Sequence, residues 1–194
     1  MGIRPKGRTP ADPGRRSGVR TGIEGLRVFF ESIAARHPDP SGVAAFCIGT
    51  DRSTGDAFGP LTGTLLRAAG WPIVVGTLER PCDSERYEGA LRGLPEGVAV
   101  VAFDACLGRP DPAGRYSVAA GPLYPARATG GTLPPVGDYS VAAIVGPLSA
   151  KPYYTLQRAS LHEVMGMARE AADAFCAAWG HTAAAGNDLR SFYR

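Results

Sequence analysis

No run of about 18 apolar residues occurs in the 194-residue chain, so no segment reads as a membrane-spanning helix. A secretory signal is not expected either. The start Met1-Gly2-Ile3-Arg4-Pro5-Lys6 is basic, but no apolar stretch follows it at signal-peptide distance. The four cysteines, Cys47, Cys82, Cys106 and Cys176, form no C-x-x-C pair, which removes the usual support for structural zinc or thioredoxin-like chemistry. No G-x-S-x-G, G-x-x-x-x-G-K-[ST] or G-x-G-x-x-G pattern occurs, so serine-hydrolase and nucleotide-site readings lack their motifs. Histidine is scarce, with three in all. His37 and His181 read as surface residues. His162, beside Glu163, reads as a helix-surface residue or, alternatively, as one that reaches a site.

What is present is globular. Hydrophobic residues make up 44% of the chain and charged residues 20%, enough apolar material for a sizeable core. The charge is unevenly placed. Residues 1–22 hold six cations against the single acid Asp12, so this segment carries +5 of a total of +3, and the remainder carries −2. With Pro5, Pro10 and Pro13, the segment is expected to be a flexible basic tail. It is either simply solvated or weakly attracted to nucleic acid or an anionic surface. The body has no basic stripe with interleaved aromatics, which disfavours specific nucleic-acid binding.

Along the body, Leu26, Phe29, Phe30, Ile33 and Ala34 stand at helical spacing. The runs 43–48, 73–75 and 98–103 are apolar and of strand length, and a helix is expected between the first two. Strands apolar on both faces that alternate with helices indicate a parallel sheet covered on both sides. Two later runs, 116–120 and 139–145, read as additional strands, at least one an antiparallel edge. A last long helix carries Leu161, Val164, Met165, Ala168, Ala171, Ala172, Phe175, Cys176 and Trp179. The expected organisation is a tail over 1–22, one α/β domain over 23–182 and a flexible C-terminus over 183–194. Cys47 and Cys106 lie in or beside strands, where a reduced thiol packs as a small hydrophobe.

In an open α/β sheet, ligands bind where loops leave the carboxyl ends of strands. One such loop offers Asp51, Arg52, Ser53, Thr54 and Asp56 before Gly59-Pro60. A second is expected to begin at Asp104, where the run 98–103 ends. If both strands share one parallel sheet, Asp56 and Asp104 emerge at the same edge. Two close carboxylates cannot both ionise cheaply, so one pKa rises, which suits acid–base hydrolysis and would also suit a divalent cation. Helix capping is the competing reading for Ser53, Thr54 or Asp56. Asp51 could equally pair with Arg52 or shape an Asx turn.

The run Cys47-Ile48-Gly49-Thr50-Asp51-Arg52-Ser53-Thr54-Gly55-Asp56-Ala57-Phe58-Gly59-Pro60 resembles the signature of the YyaC sporulation proteins. Phe103-Asp104-Ala105-Cys106-Leu107-Gly108, Gly121-Pro122-Leu123-Tyr124-Pro125, Leu133-Pro134-Pro135-Val136-Gly137-Asp138 and Leu161-His162-Glu163-Val164-Met165 are similar too. That family is related to the spore germination protease, an aspartic-type endopeptidase, and more distantly to hydrogenase-maturation endopeptidases. The resemblance implies a three-layer αβα sandwich of the phosphorylase/hydrolase-like type, mostly parallel with additional edge strands. It also implies a catalytic pair that maps onto Asp56 and Asp104. The segment 126–132 departs from the Gly-rich, Lys-containing form expected of the family, and no histidine matches the metal-binding one of the maturation peptidases.

The expected function is therefore a sporulation-associated peptidase. Asp56 and Asp104 would activate water, Asp51, Arg52, Ser53 and Thr54 would contact substrate, and Asp138 would support the site. Neither cofactor nor metal is expected. The partners would be a peptide or protein substrate, with no membrane and no specific nucleic acid, and a homo-oligomer is compatible. The location would be the cytoplasm, of forespore or mother cell. Two alternatives stand beside this: an inactive peptidase fold used for binding or regulation, and a metal-dependent hydrolase of a non-peptide bond.

Overall fold

The computed structural model describes residues 18–109, 111, 114–125 and 133–181. The expectations for residues 1–17, 126–132 and 183–194 lie outside these. Among the described residues, six strands form one mixed sheet: β1 (Val19–Thr21), β2 (Val43–Cys47), β3 (Ile73–Val75), β4 (Ala99–Leu107), β5 (Tyr116–Ala120) and β6 (Tyr139–Gly146). Their spatial order is β1-β5-β6-β4-β2-β3. β3, β2, β4 and β6 run parallel, whereas β5 pairs antiparallel with both β6 and β1. Among the described residues, five helices accompany the sheet: α1 (Ile23–Ala34), α2 (Phe58–Ala68), α3 (Tyr87–Arg92), α4 (Pro152–Gln157) and α5 (Leu161–Ala178).

β2 shows why its run is apolar throughout. Val43, Ala45 and Cys47 join Leu26 and Phe30 of α1, Leu66 of α2 and Phe175 of α5 in one cluster. Ala44, Phe46 and Ile48 join Tyr87 of α3 in a second cluster on the other face. A strand covered on both sides has no solvent-facing positions to fill with polar residues. The larger cluster is anchored by aromatic rings. Phe175 meets Phe30 at 5.1 Å, Trp71 at 4.5 Å and Trp179 at 4.9 Å between ring centroids. Trp71 donates its ring N–H to the Val43 carbonyl at 3.0 Å, so its polar atom is satisfied inside the core.

Four expectations need correction. The basic tail does not extend to residue 22: Val19–Thr21 forms edge strand β1, paired with 116–118. Three residues, too short a run to read as a strand even with β-branched Val19 and Thr21, become one because β5 offers an open edge. The antiparallel edge is accordingly β1, with β5 inside the sheet. β4 does not stop at Phe103 but runs through Asp104 to Leu107, because β6 continues to pair with it. The fourth concerns His37 and His181, which are partly buried rather than surface residues. His37 Nε2 lies 3.0 Å from the Tyr139 hydroxyl, and its carbonyl accepts from the Trp179 ring N–H at 2.7 Å. His181 packs edge-on against Trp71.

Candidate active site

The site is created by a divergence between two parallel strands. β2 and β4 stay in register through Cys47 and Phe103. The Ile48 N–H still donates to the Phe103 carbonyl at 2.8 Å, but the next N–H, that of Gly49, turns to the Cys82 carbonyl at 3.1 Å. β4 continues for four more residues with β6 alone, Asp104 standing opposite Ala142. A notch therefore opens at the carboxyl end of the sheet, where neighbouring strands connect in opposite directions. Val100 and Ala102 lie in the cluster beneath α3, so strand alternation turns Asp104 to that same face.

The chain after β2 folds back over this notch. The Thr50 N–H donates to the Asp56 carbonyl at 3.2 Å, and a 3-10 turn, Gly55–Ala57, leads into α2. Two glycines permit the close approach. A Cβ on Gly59 would collide with the Ile48 carbonyl, and one on Gly49, at φ +141°, with the Asp56 carbonyl. No side chain caps the 3-10 turn or α2, so the capping reading of Ser53, Thr54 and Asp56 does not hold. The Asp56 carboxylate is left for the cleft.

That cleft measures about 410 Å3 and is walled by Thr50, Arg52, Ser53 and Asp56 on one side and by Asp83 and Asp104 on the other. Tyr153 and Leu156 of α4 also line it. Asp104 is half-buried. Burial pushes its carboxyl up to about 8. The Ala105 N–H, donating to Oδ1 at 2.8 Å, opposes the rise, and the Asp56 charge adds to it. Burial also raises Asp56, tempered by the neighbouring Ser53 hydroxyl. Ser53 is 4% exposed and its hydroxyl falls short of full hydrogen-bond geometry with any partner among the described residues. Near neutral pH, Asp104 thus holds a proton beside a second carboxyl group whose own proton affinity is enhanced.

The remaining expected residues divide. Arg52 and Ser53 line the cleft, whereas Asp51 and Thr54 do not. Arg52 pairs with Asp83 at 2.9 Å rather than with Asp51. Asp138 is a correction. Its carboxylate accepts the Val100 N–H at 2.9 Å, and its own N–H donates to the Val100 carbonyl at 2.8 Å. This locks the amino ends of β4 and β6, at the opposite edge of the sheet. It precedes β6, so in a parallel sheet it could not sit with Asp104. His162 is exposed and stands outside the cleft.

Sequence reasoning overlooked Cys82 and Asp83, which also line the cleft. The signal was available: Pro81-Cys82-Asp83 follows the carboxyl end of β3. Asp83 accepts both the Arg52 guanidinium and the Arg86 N–H, the latter at 3.2 Å. The Cys82 thiol is pushed up to about 12 by burial and then by the charges of Asp83 and Asp104, so it keeps its proton. Burial likewise raises Cys47 and takes Cys106 to about 12. All four cysteines are free.

Among the described residues, no three His, Cys, Asp or Glu side chains converge closely enough to hold a metal ion. Nor is any helix among them long and apolar enough to cross a membrane. The arrangement brings two carboxyl groups of raised proton affinity to one cleft, with the buried Ser53 hydroxyl beside Asp56, and so can hold and transfer protons.

Comparison with known proteins bears on the same segments. A curated relative, described as an uncharacterized protein YyaC of Bacillus subtilis (strain 168), is 37% identical over 136 residues, covering 68% of this chain. The match spans 66% of that protein, just under two thirds of its length. No solved structure matches. A family described as a protein of unknown function (DUF1256) matches residues 24–174, which takes in both carboxylates and every helix but the first residue of α1 and the last turn of α5. On that match, the chain belongs to the DUF1256 family.

Proposed function

We propose that the chain is a peptide hydrolase in which Asp104 acts as general acid and Asp56 as general base. The observation that carries this reading is the pairing itself. Asp104 is raised to about 8 by burial and by Asp56, in a cleft at the carboxyl ends of parallel strands. In the reaction, the ionised Asp56 takes a proton from a water molecule as the water oxygen attacks the peptide carbonyl carbon. Asp104 gives its proton to the carbonyl oxygen. Collapse of the tetrahedral intermediate returns that proton to Asp104 and breaks the C–N bond, while Asp56 passes its proton to the departing nitrogen. The pair ends as it began. The Ser53 hydroxyl, buried beside Asp56, would orient that carboxylate rather than touch the peptide.

The finer fold expectation belongs with this reading. Helices over both faces of a mostly parallel sheet are compatible with a three-layer phosphorylase/hydrolase-like sandwich, and with kinship to the germination protease. A cytoplasmic role during sporulation rests on the resemblance of residues 47–60 and of the later segments 103–108, 121–125, 133–138 and 161–165 to the YyaC proteins.

The test uses purified full chain with a proteome-derived peptide library between pH 5 and 9, reading new peptide termini by mass spectrometry. Cleavage by the wild type, reduced about 10²- to 10⁴-fold in Asp56→Asn and in Asp104→Asn, is expected for loss of a general acid or base. No new termini at any pH, or undiminished cleavage by either variant, overturns the assignment.

A further inference from the structure

Beside the carboxylate cleft lies a second groove that the proposed chemistry does not use. It measures about 310 Å3 and shares Asp104 and Ala105 with the cleft. Its other walls are Cys106, Leu107, Leu123, Tyr124, Ala142 and Leu148. The two spaces thus adjoin at Asp104, one of the two proposed reacting carboxyls.

The groove follows from the sheet. Beyond Phe103, β4 is paired only with β6, and α3 covers the sheet at β2 and the first half of β4. Ala142 is the register partner of Asp104, so the two side chains stand on the same face. A methyl group there leaves a low floor next to a carboxyl. A neighbouring trough of about 280 Å3, over Ser117, Ala119 and Ser140, shares Leu123, Tyr124 and Ala142 with this groove and extends the low floor across β5.

The rim supplies a separate observation. Leu148 is 62% exposed and Tyr153 60% exposed, and Tyr124 is also exposed. Leu148 and Tyr124 stand on this groove and Tyr153 on the adjoining cleft. Large apolar side chains gathered at one mouth mark a binding surface rather than scattered exposure. The Leu148 wall is braced as well. The Ser149 hydroxyl meets the Thr155 hydroxyl at 2.6 Å and accepts the Lys151 N–H at 3.2 Å.

We propose that this groove is a specificity subsite that takes a large apolar side chain of the peptide substrate, next to the bond held at Asp56 and Asp104. The inference rests on the peptidase reading for its occupant, and the occupant follows from the shared wall at Asp104 and Ala105 and from the apolar lining. An extended peptide lying across the end of the sheet places one side chain over Ala142 as its carbonyl reaches Asp104. A Leu or Phe side chain fills this space, and a Gly leaves it empty.

The experiment uses ten-residue peptides of Gly and Ser with one central Gly, Ala, Leu or Phe. Each is measured for cleavage by mass spectrometry and for binding by titration calorimetry. The Leu and Phe peptides are expected to be preferred over the Gly peptide by at least about 10-fold, since a single methylene in a hydrophobic pocket already gives about 10- to 200-fold. Ala142→Phe fills the floor and is expected to erase that preference. Leu148→Ser, at an exposed rim position where folding is not at stake, is expected to reduce it several-fold, and decides the matter if Ala142→Phe does not fold. Binding of Leu and Phe peptides without cleavage, weakened by these variants, supports the subsite while overturning the hydrolase assignment. Cleavage indifferent to the central residue, or a preference unchanged by both variants, overturns the subsite and leaves the hydrolase standing. Absence of both binding and cleavage overturns the subsite.

Discussion

Asp56 and Asp104 arrive from the ends of two adjacent parallel strands, and the charge of the first adds to the burial that keeps the second protonated. Removing that charge has a defined consequence. In Asp56→Asn, the Asp104 carboxyl is expected to titrate at lower pH than in the wild type, still above the ordinary carboxylate range because burial is the larger cause. Carboxyl-labelled aspartate followed by carbon NMR reads this directly. An unchanged Asp104 titration would mean that the two groups do not interact.

The same shift dictates how stability depends on pH. Asp104 binds its proton more tightly folded than unfolded, so between about pH 4 and 8 the folded state carries the extra proton. This contribution is fully present below the unfolded pKa and is lost as pH rises through about 8. One pKa unit corresponds to about 1.4 kcal/mol, so the loss is on the order of several kcal/mol. Urea midpoints followed by circular dichroism are expected to fall from pH 5 to pH 8.5 in the wild type and much less in Asp104→Asn.

Asp138 is expected to behave as a structural residue. Asp138→Ala leaves the Val100 N–H at the amino end of β4 without its partner, at a cost of about 1–3 kcal/mol. Peptide cleavage per folded molecule is expected to stay at the wild-type level. A selective loss of turnover at unchanged stability would place Asp138 in the chemistry after all.

Glycine positions separate the loop that builds the site from ordinary helix surface. Gly59→Ala forces a Cβ against the Ile48 carbonyl and is expected to destabilise by about 1–3 kcal/mol, as overpacking does. Gly89, inside α3, has nothing within 4 Å of an added Cβ. Gly89→Ala is expected to stabilise by about 0.5–1 kcal/mol. Equilibrium denaturation of the two variants, opposite in sign, checks the packing of the 49–59 segment onto β2.

The Arg52–Asp83 pair calls for an asymmetric result. Arg52 is 70% exposed on its side chain and Asp83 only 11%. Arg52→Ala leaves Asp83 the Arg86 N–H as a partner and is expected to cost on the order of 1 kcal/mol. Asp83→Ala also removes the acceptor for the Arg86 N–H ahead of α3 and is expected to cost more. Equal effects in thermal unfolding would contradict this division.

The parts of the fold that could be read in advance are those whose composition is dictated by full burial. β2, the first half of β4, and α5 show continuous apolar runs or helical spacing because both faces, or one long stripe, are enclosed. β1 could not be read, since Val19–Thr21 becomes a strand only through β5. The second half of β4 was hidden because a polar Asp104 reads as a strand end, whereas β6 keeps pairing past it. At the site, Asp56 and Asp104 were legible from parallel strands sharing one polarity. Asp138 belongs at the other end because it precedes β6, and that follows only once β6 is known to run parallel to β4. Asp83 was missed because it follows the short β3 across a turn.

The aromatic nest around Phe175 has a practical consequence. Both tryptophans of the chain belong to it: Trp71 follows α2, Trp179 ends α5, and their rings stand 5.1 Å apart. Neither lines the carboxylate cleft. Intrinsic emission excited at the indole band is therefore a reporter of whether the last helix is seated against the sheet. It would stay dark to ligand entry, and a tryptophan placed at Tyr153 would give the cleft an optical signal of its own.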